Sequence, residues 1–220
     1  MARLLLVAAQ KSMVFRLIEA VEQAKLVPIG IDIIPFAVMR SVGTVDGLGL
    51  GGEDADEAVV DIGSDTTSIT VHRQGLPRFV RVLATGGHDL TEAIIRSLPV
   101  GEDEAERLKR GESEESEDIR TQAEDLIKAR LRSFVDEVRS SLDFHASQSG
   151  SRISRVVLSG GGSRLAGLQE ALAGQMTTEV VQGRAFQRVS PAVDMVPEAM
   201  AAAEPLLGVA VGLALPGGAA

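Results

Sequence analysis

A strand-like run that ends in an acid, a glycine and hydroxyl residues is the first stretch that could do chemistry. Val59 and Val60 precede Asp61, and the turn from Gly63 to Thr66 follows. The backbone N–H groups of a tight turn and the Thr66 hydroxyl can point at phosphate oxygens. A carboxylate alone repels phosphate, so Asp61 suits this chemistry only with Mg²⁺ and its waters in between. The same residue types also build ordinary hairpin turns, and on this stretch alone both interpretations weigh about equally.

A run of three glycines marks the second stretch. Residues 156–159 have strand character, Gly160, Gly161 and Gly162 follow, and a helical pattern begins after Arg164. Successive glycines let a flat ligand approach the backbone, and a helix N-terminus offers free N–H donors. The run is neither a Walker loop, which requires Gly-Lys-Ser/Thr, nor a regular dinucleotide fingerprint. A flexible connector between strand and helix is the alternative.

Charged and titratable side chains add little by themselves. Glu106 and Lys109 are three residues apart, so both can lie on one face of a helix and hold a ribose hydroxyl and an adenine edge. Taken alone, a solvated charged helix explains this pair better. His72, His88 and His145 show no ligand spacing, and we assign them no role. No Ser-His-Asp set stands out.

Composition limits the class of protein. The 220 residues are 45% apolar and carry a net charge of -9, of which residues 101–118 contribute -6 through nine acids and three bases. This acidity, with six Phe and no Trp or Tyr, argues against nucleic-acid binding. Zero cysteines exclude disulfides and thiolate metal sites. The longest apolar stretch, residues 205–215, is too short to span a bilayer, so no transmembrane segment is predicted.

The elements that would position these residues begin with a β-α-β-α order. Residues 4–9 and 26–33 are predicted strands, and residues 11–25 and 36–42 are predicted helices, the second opened by Pro35. This order favours a parallel or mixed sheet. Residues 43–56, rich in glycine and acids, are a predicted loop and subdomain boundary.

The rest of the chain alternates strands and helices. An antiparallel meander with a hairpin turn at Gln74-Gly75 comes first, and a long helix with an apolar stripe precedes the three glycines. The predicted strands are 57–64, 68–73, 77–84, 155–159 and 180–181, and the predicted helices are 89–98, 105–110, 118–147, 165–172 and 205–215.

In this order, the stretches resemble the actin-like ATPase superfold, and within it the branch of the type IV pilus assembly protein PilM and the division protein FtsA. The resemblance implies an α/β, ribonuclease H-like fold with mixed sheets flanked by helices. It rests on residues 4–9, 31–37, 60–67, 86–91, 105–110, 158–163 and 205–214.

The resemblance also implies a domain organisation. Residues 1–50 would be the remainder of a first actin-like half, and residues 51–215 a second half. Within the second half, residues 100–148 would form a helical subdomain and residues 205–215 the closing helix. A first phosphate hairpin and most of the groove that binds PilN are not found, so we expect an N-terminally truncated copy. That departure puts in question a closed ATP site and PilN binding by this chain alone.

Carried over from the family, fourteen residues would bind ATP and Mg²⁺. Asp61 would hold Mg²⁺ through water, and Gly87 would approach the phosphates. The hairpin would cradle the β- and γ-phosphates with Gly63, Ser64, Asp65 and Thr66. Glu106, Lys109 and Arg110 would contact ribose and adenine, and Gly160, Gly161, Gly162, Ser163 and Arg164 would line the adenosine. No catalytic residue is assigned.

The family's role would be a cytoplasmic, nucleotide-bound adaptor, peripheral to the inner face of the cytoplasmic membrane, with at most weak ATPase activity. It would hold the tail of a PilN-like inner-membrane protein and face the pilus motor ATPases. The alternatives are an active enzyme of the same superfold, such as a sugar kinase or chaperone ATPase, an FtsA-like division adaptor, and a scaffold whose glycine loops are empty.

Overall fold

The computed structural model of the protein describes residues 6–44, 55–190, 192 and 196–216. The chain falls into two compact units, residues 1–33 and residues 34–220. The predicted domain boundary near residue 50 lies outside the described residues.

In its described residues, the first unit contains one regular element, helix α1 (Lys11–Gln23), at the predicted position. The predicted strands are wrong in their described parts, because residues 6–10 and 26–33 form no strand. Their apolar side chains are open, with Leu6 91% and Ile29 101% exposed. A β-branched run has strand propensity, but a strand forms only where a neighbouring backbone pairs with it. No described residue pairs with either run.

The second unit is built on one mixed sheet with the order β3-β2-β1-β4-β5. Strand β1 is antiparallel to β2 and parallel to β4, so it lies at the centre. Strands β2 and β3 are antiparallel, and β4 and β5 are parallel. The strands are β1 (Ala55–Ile62), β2 (Thr67–Arg73), β3 (Leu76–Leu83), β4 (Arg152–Ser159) and β5 (Glu179–Gln182). The mixed sheet and the meander are confirmed.

Helices cover both faces of the sheet. They are α2 (Ile34–Val42), α3 (Gly87–Ser97), α4 (Glu102–Arg110), α5 (Glu117–Ser149), α6 (Leu168–Gln175), α7 (Pro197–Ala203) and α8 (Gly208–Ala214). Short 3₁₀ turns occupy Gly161–Arg164, Ala185–Arg188 and Glu204–Leu206. The predicted helices 165–172 and 205–215 therefore begin later than expected, because an extended Leu165 and a positive φ of 79° at Gly167 interrupt the first, and the second opens as a 3₁₀ turn.

Three apolar clusters hold this unit together. One lies between the sheet and helices α5 and α6, and includes Val60, Val138 and Leu172. A second joins α3, α4 and the first half of α5. The third packs α2 on the opposite face of the sheet through Val38 and Val42. The apolar stripe of α5 runs from the second cluster to the first, so this helix ties the helical part to the sheet.

Two buried acids at the start of β1 are the side-chain partners of two of the three histidines. The Asp56 carboxylate is 2.9 Å from His145 Nε2, and accepts a hydrogen bond from Arg73 Nε at 2.8 Å. Glu57 lies 3.1 Å from His72 Nε2. Burial raises the pKa of Glu57, but hydrogen bonds from His72 and Thr44 outweigh it and bring that pKa below its usual value. These histidines thus have a structural partner.

Candidate functional site

A cleft of about 960 Å³ opens beside the carboxyl ends of β1 and β4. Parallel neighbouring strands bring Asp61 of β1 level with Ser159 of β4, so the loops that leave both strands meet at this edge. Eleven of the fourteen predicted residues line this one cleft: Asp61, Gly63, Ser64, Gly87, Glu106, Lys109, Arg110, Gly160, Gly161, Gly162 and Arg164.

Three predicted residues do not line the cleft. Asp65 and Thr66 are exposed in the turn between β1 and β2, where the Thr66 carbonyl accepts a hydrogen bond from the Gly63 amide at 2.9 Å. Ser163 is 2% exposed, and its hydroxyl donates to the Gly160 carbonyl at 2.7 Å. Asp65, Thr66 and Ser163 are therefore part of the two loops but do not face the cleft.

The turn after β1 is joined to the first residues of α3. The amide of Gly87 donates to the Gly63 carbonyl at 2.9 Å, and the amide of His88 donates to the Ser64 carbonyl at 2.8 Å. A Cβ on Gly86 would lie 2.2 Å from the Ser64 carbonyl oxygen, which no side chain tolerates. Since these N–H groups are already used, Gly87 cannot offer its amide to an anion. The Ser64 amide has no partner among the described residues.

The pair on α4 is more than a solvated helix face. Lys109 pairs with Glu106, and its Nζ donates to the Thr91 hydroxyl at 2.8 Å and to the Gly87 carbonyl at 3.2 Å. Burial raises the pKa of Glu106, but hydrogen bonds from Lys109 and Thr91 bring it below its usual value. With only 16% of its side chain exposed, Lys109 joins α4 to the N-terminal end of α3.

The space available for a side chain differs among the three glycines. Gly160 has a φ of +82°, and its Cβ would lie 2.3 Å from the Ile62 carbonyl oxygen. A Cβ on Gly162 would lie 2.3 Å from Ile62 Cγ2. Both therefore permit the loop after β4 to pack on the end of β1. Gly161 differs, since its Cβ would approach only Leu206 Cδ2, at 3.2 Å, the end of a flexible side chain.

Asp61 is a half-buried carboxylate at the edge of the cleft. Burial raises its pKa, and the neighbouring Ser159 hydroxyl only partly opposes this. That hydroxyl is 2% exposed and makes no hydrogen bond of standard geometry among the described residues. No described group of three or more His, Cys, Asp or Glu side chains could hold a metal ion. Mg²⁺ in proteins is usually held by one or two carboxylates, waters and ligand phosphates, and Asp61 supplies one carboxylate at the cleft.

Sequence reasoning missed part of the cleft wall. Leu131 and Phe134 belong to the apolar stripe of α5, yet they line the cleft, as do Arg130, Leu206 and Val209. Because Leu131 and Phe134 belong to this stripe, the sequence pattern could have indicated that both residues lie on a buried or cleft-facing side of α5. Leu206 is 60% exposed in the 3₁₀ turn before α8 and carries no local signal.

Comparisons with known proteins agree with this architecture. The sequence model of the family described as "Type IV pilus assembly protein PilM" matches residues 1–217. The chain is 32% identical to a chain in the solved PilM-PilN type IV pilus biogenesis complex, with a TM-score of 0.78 over 94% of this chain and 58% of that one. MreB5 of Spiroplasma citri, solved with ADP, has 13% identity and a TM-score of 0.62 over 94% of this chain and 65% of that one, which shows the fold alone.

A curated relative is the cell division protein FtsA of Bacillus subtilis (strain 168), 30% identical over 105 residues, or 48% of this chain and 23% of FtsA. The chain thus spans less than two thirds of the length of each of these relatives. In the described part of the chain, no helix has the length and apolar character to cross a membrane.

Proposed function

The chain belongs to the type IV pilus assembly protein PilM family, and on that basis we propose that it is a nucleotide-binding adaptor of pilus assembly. It binds ATP with Mg²⁺ in the cleft and docks the tail of a PilN-like inner-membrane protein. The observation that carries the nucleotide proposal is the cleft itself, which collects a strand-end acid, a glycine turn and a charged helix face around one cavity.

Each wall of the cleft suits one part of ATP. The Ser64 amide faces the phosphates, and Asp61 holds Mg²⁺ through water. The half-buried Glu106 carboxylate, held in place by Lys109, accepts hydrogen bonds from the ribose hydroxyls. Arg110 and Arg164 lie on the adenine side, with Leu206 as an apolar surface against the base. The bound metal supplies charge neutralisation for the phosphates, while the protein side chains orient the nucleotide.

Titration with a fluorescent ATP analogue and Mg²⁺ tests this site. We expect Asp61→Asn to weaken magnesium-dependent binding about 10- to 100-fold, the usual effect of losing a group that orients a metal through its water. Asp65→Asn is the matched control, because Asp65 is four residues away on the exposed side of the same turn. Its affinity should equal that of the unchanged protein. An unchanged protein that is folded by circular dichroism and binds no nucleotide contradicts the proposal.

Removing the Asp61 charge should also stabilise the nucleotide-free protein. Because burial raises the pKa of Asp61, the ionised form is disfavoured in the folded state, and the folded state loses stability as pH rises from 3.8, the usual value. At pH 7 we expect Asp61→Asn to increase the free energy of unfolding by about 0.5–2 kcal/mol, a typical gain at a functional site. Urea unfolding measures it. A decrease would show that Asp61 has a mainly structural purpose.

A turnover measurement separates the adaptor from an enzyme of the same superfold. Enzymes commonly turn over at about 1–1000 s⁻¹. We expect phosphate release from ATP to remain far below this range, with bound ATP recovered intact. Release at an enzyme-like rate that Asp61→Asn abolishes would favour the chaperone ATPase alternative, whereas a sugar kinase would form ADP at such a rate only with its sugar present.

The partner proposal comes from the family and from the likeness to a PilM chain solved with PilN. Docking to such a tail would place the protein at the inner face of the cytoplasmic membrane, near the pilus motor ATPases. Calorimetry with a synthetic cytoplasmic tail of PilN, encoded by the same genome, tests it against a scrambled tail. Equal binding of both peptides, or no binding of either, would overturn this part.

A further inference from the structure

Strand β3 (Leu76–Leu83) forms one edge of the sheet and pairs only with β2 within the described residues. None of its backbone groups takes part in a further backbone hydrogen bond in that part of the chain. On an edge strand, the N–H and C=O groups of every second residue point away from the sheet. Such a row of unpaired groups can accept another strand.

The side chains of this edge are basic. Arg78 and Arg81 are exposed on β3 and form no ion pair within the described residues. From His72 to His88 the sequence holds three arginines and no Asp or Glu, although the whole chain has a net charge of -9. The edge is therefore a local basic strip on an acidic protein, and a partner that matches it is acidic.

Apolar side chains flank the same edge. Leu76 is 62% and Val82 is 59% exposed. On the face covered by α5, Phe144 is 52% exposed, and its ring centroid lies 6.2 Å from that of Phe79. Successive residues of a strand point to opposite faces, so a strand laid along β3 would meet the Phe79–Phe144 pair on one face and Val82 on the other.

We propose that β3 is a docking edge to which an extended, acidic and apolar segment of a partner protein adds as one further strand. Backbone hydrogen bonds would give affinity, and the two arginines and the flanking apolar side chains would select the sequence. A second copy of this chain is a poorer occupant, because pairing β3 with β3 gathers four arginines on one short ribbon. The inference does not rest on nucleotide binding, since no β3 residue lines the cleft.

A fluorescein-labelled peptide, Val-Glu-Val-Asp-Val-Glu-Val with blocked ends, is the probe, and Val-Lys-Val-Lys-Val-Lys-Val is its basic counterpart. We expect the acidic peptide to bind the 220-residue protein by anisotropy, at least about tenfold more tightly than the basic one. Hydrogen exchange should show new protection of β3 amides. The double variant Arg78→Glu/Arg81→Glu should reverse the preference, whereas Arg120→Glu/Arg132→Glu, two exposed arginines on α5, should leave it unchanged.

Both double variants carry the same net charge, so a reversal of preference confined to Arg78→Glu/Arg81→Glu is not a general effect of added negative charge. Equal effects of the two double variants would overturn the proposal, as would protection at the cleft instead of β3. If the unchanged protein binds neither peptide, and the Arg78→Glu/Arg81→Glu variant self-associates in sedimentation, the arginines only protect the edge against pairing, which also overturns it. Sedimentation of the unchanged protein as a β3-dependent dimer would assign the edge to a second copy.

Discussion

At the residue scale, the three-glycine run shows what a sequence can and cannot tell. The composition of the run predicts close approach of a flat ligand to the backbone, whereas two of its glycines pack against the protein itself. The surface that approaches Gly160 and Gly162 is Ile62, at the end of a strand far away in sequence. This contact arises from the parallel pairing of β1 with β4, and no local sequence pattern predicts it. Of the three glycines, only Gly161 has no backbone or buried side chain against it, so it is the one that we propose to face the nucleotide.

Alanine substitutions distinguish a glycine required for packing from one proposed to face the nucleotide. Gly160→Ala should lower the free energy of unfolding by roughly 1–3 kcal/mol or more, because a positive φ and a clash with the Ile62 backbone coincide. Gly161→Ala meets only the end of the Leu206 side chain, so its stability should change by less than about 0.5 kcal/mol, while its affinity for the ATP analogue changes. Urea unfolding and anisotropy measure both. Equal destabilisation by the two variants would contradict this division.

At the element scale, the local sequence pattern was sufficient to predict strands and helices whose pairing or packing partners are near in sequence. The meander, the two-residue turn at Gln74-Gly75 and the ends of α5 follow from turn chemistry, a Ser116 cap and a C-terminal Gly150. The strand predictions for the runs at residues 6–10 and 26–33 were wrong for the opposite reason. Their apolar composition predicts strands, but a strand depends on a pairing partner that the run itself does not encode.

The buried acids at the start of β1 predict a specific response to pH. Since the pKa of Glu57 is lowered in the folded state, its stabilising effect is present above 4.5, the usual value, and is lost as pH falls through the folded-state pKa. At pH 7 we expect Glu57→Gln to lower the free energy of unfolding by about 1–3 kcal/mol, because His72 and Thr44 lose a charged acceptor.

Toward pH 3 the effect of the same substitution should shrink, because the stabilising effect of Glu57 is lost as pH falls through its folded-state pKa. Glu124→Gln, on the exposed surface of α5, is the control and should be neutral at both values of pH. Urea unfolding of the two variants at pH 7 and pH 3 is the measurement. A difference for Glu57→Gln that persists at pH 3 would assign it to packing and not to charge.

At the scale of the whole molecule, stability is concentrated in one unit. Every buried hydrophobic residue in the described part of the chain lies between Ala37 and Ala185. In contrast, the large exposed hydrophobic residues cluster in the described residues 6–34, where ten of them occur. Apolar patches of this kind are usually covered by another surface in the working protein.

Deletion of residues 1–33 tests that distribution. We expect the remaining chain to unfold cooperatively with a midpoint within about 4 °C of the original, since a shift of that size corresponds to roughly 1 kcal/mol. It should also bind less of the hydrophobic dye ANS. Calorimetry and dye fluorescence give the two readings. A midpoint lowered by 10 °C or more, or undiminished dye binding, would show that the segment contributes to the core.

The pairing of β1 with β4 also governs the order in which the protein can fold. Strands β1, β2 and β3 are joined by short turns and can pair early, whereas Asp56 must wait for Ile153, with α3, α4 and α5 in between. Long-range parallel pairing is slow because a large loop must close first. The turn at Gly63 can form early with β1 and β2, but the three-glycine loop reaches the end of β1 only in that late step. The nucleotide that we propose for this cleft would therefore bind the completed fold and none of its precursors, because during synthesis the cleft forms only after β4 has left the ribosome.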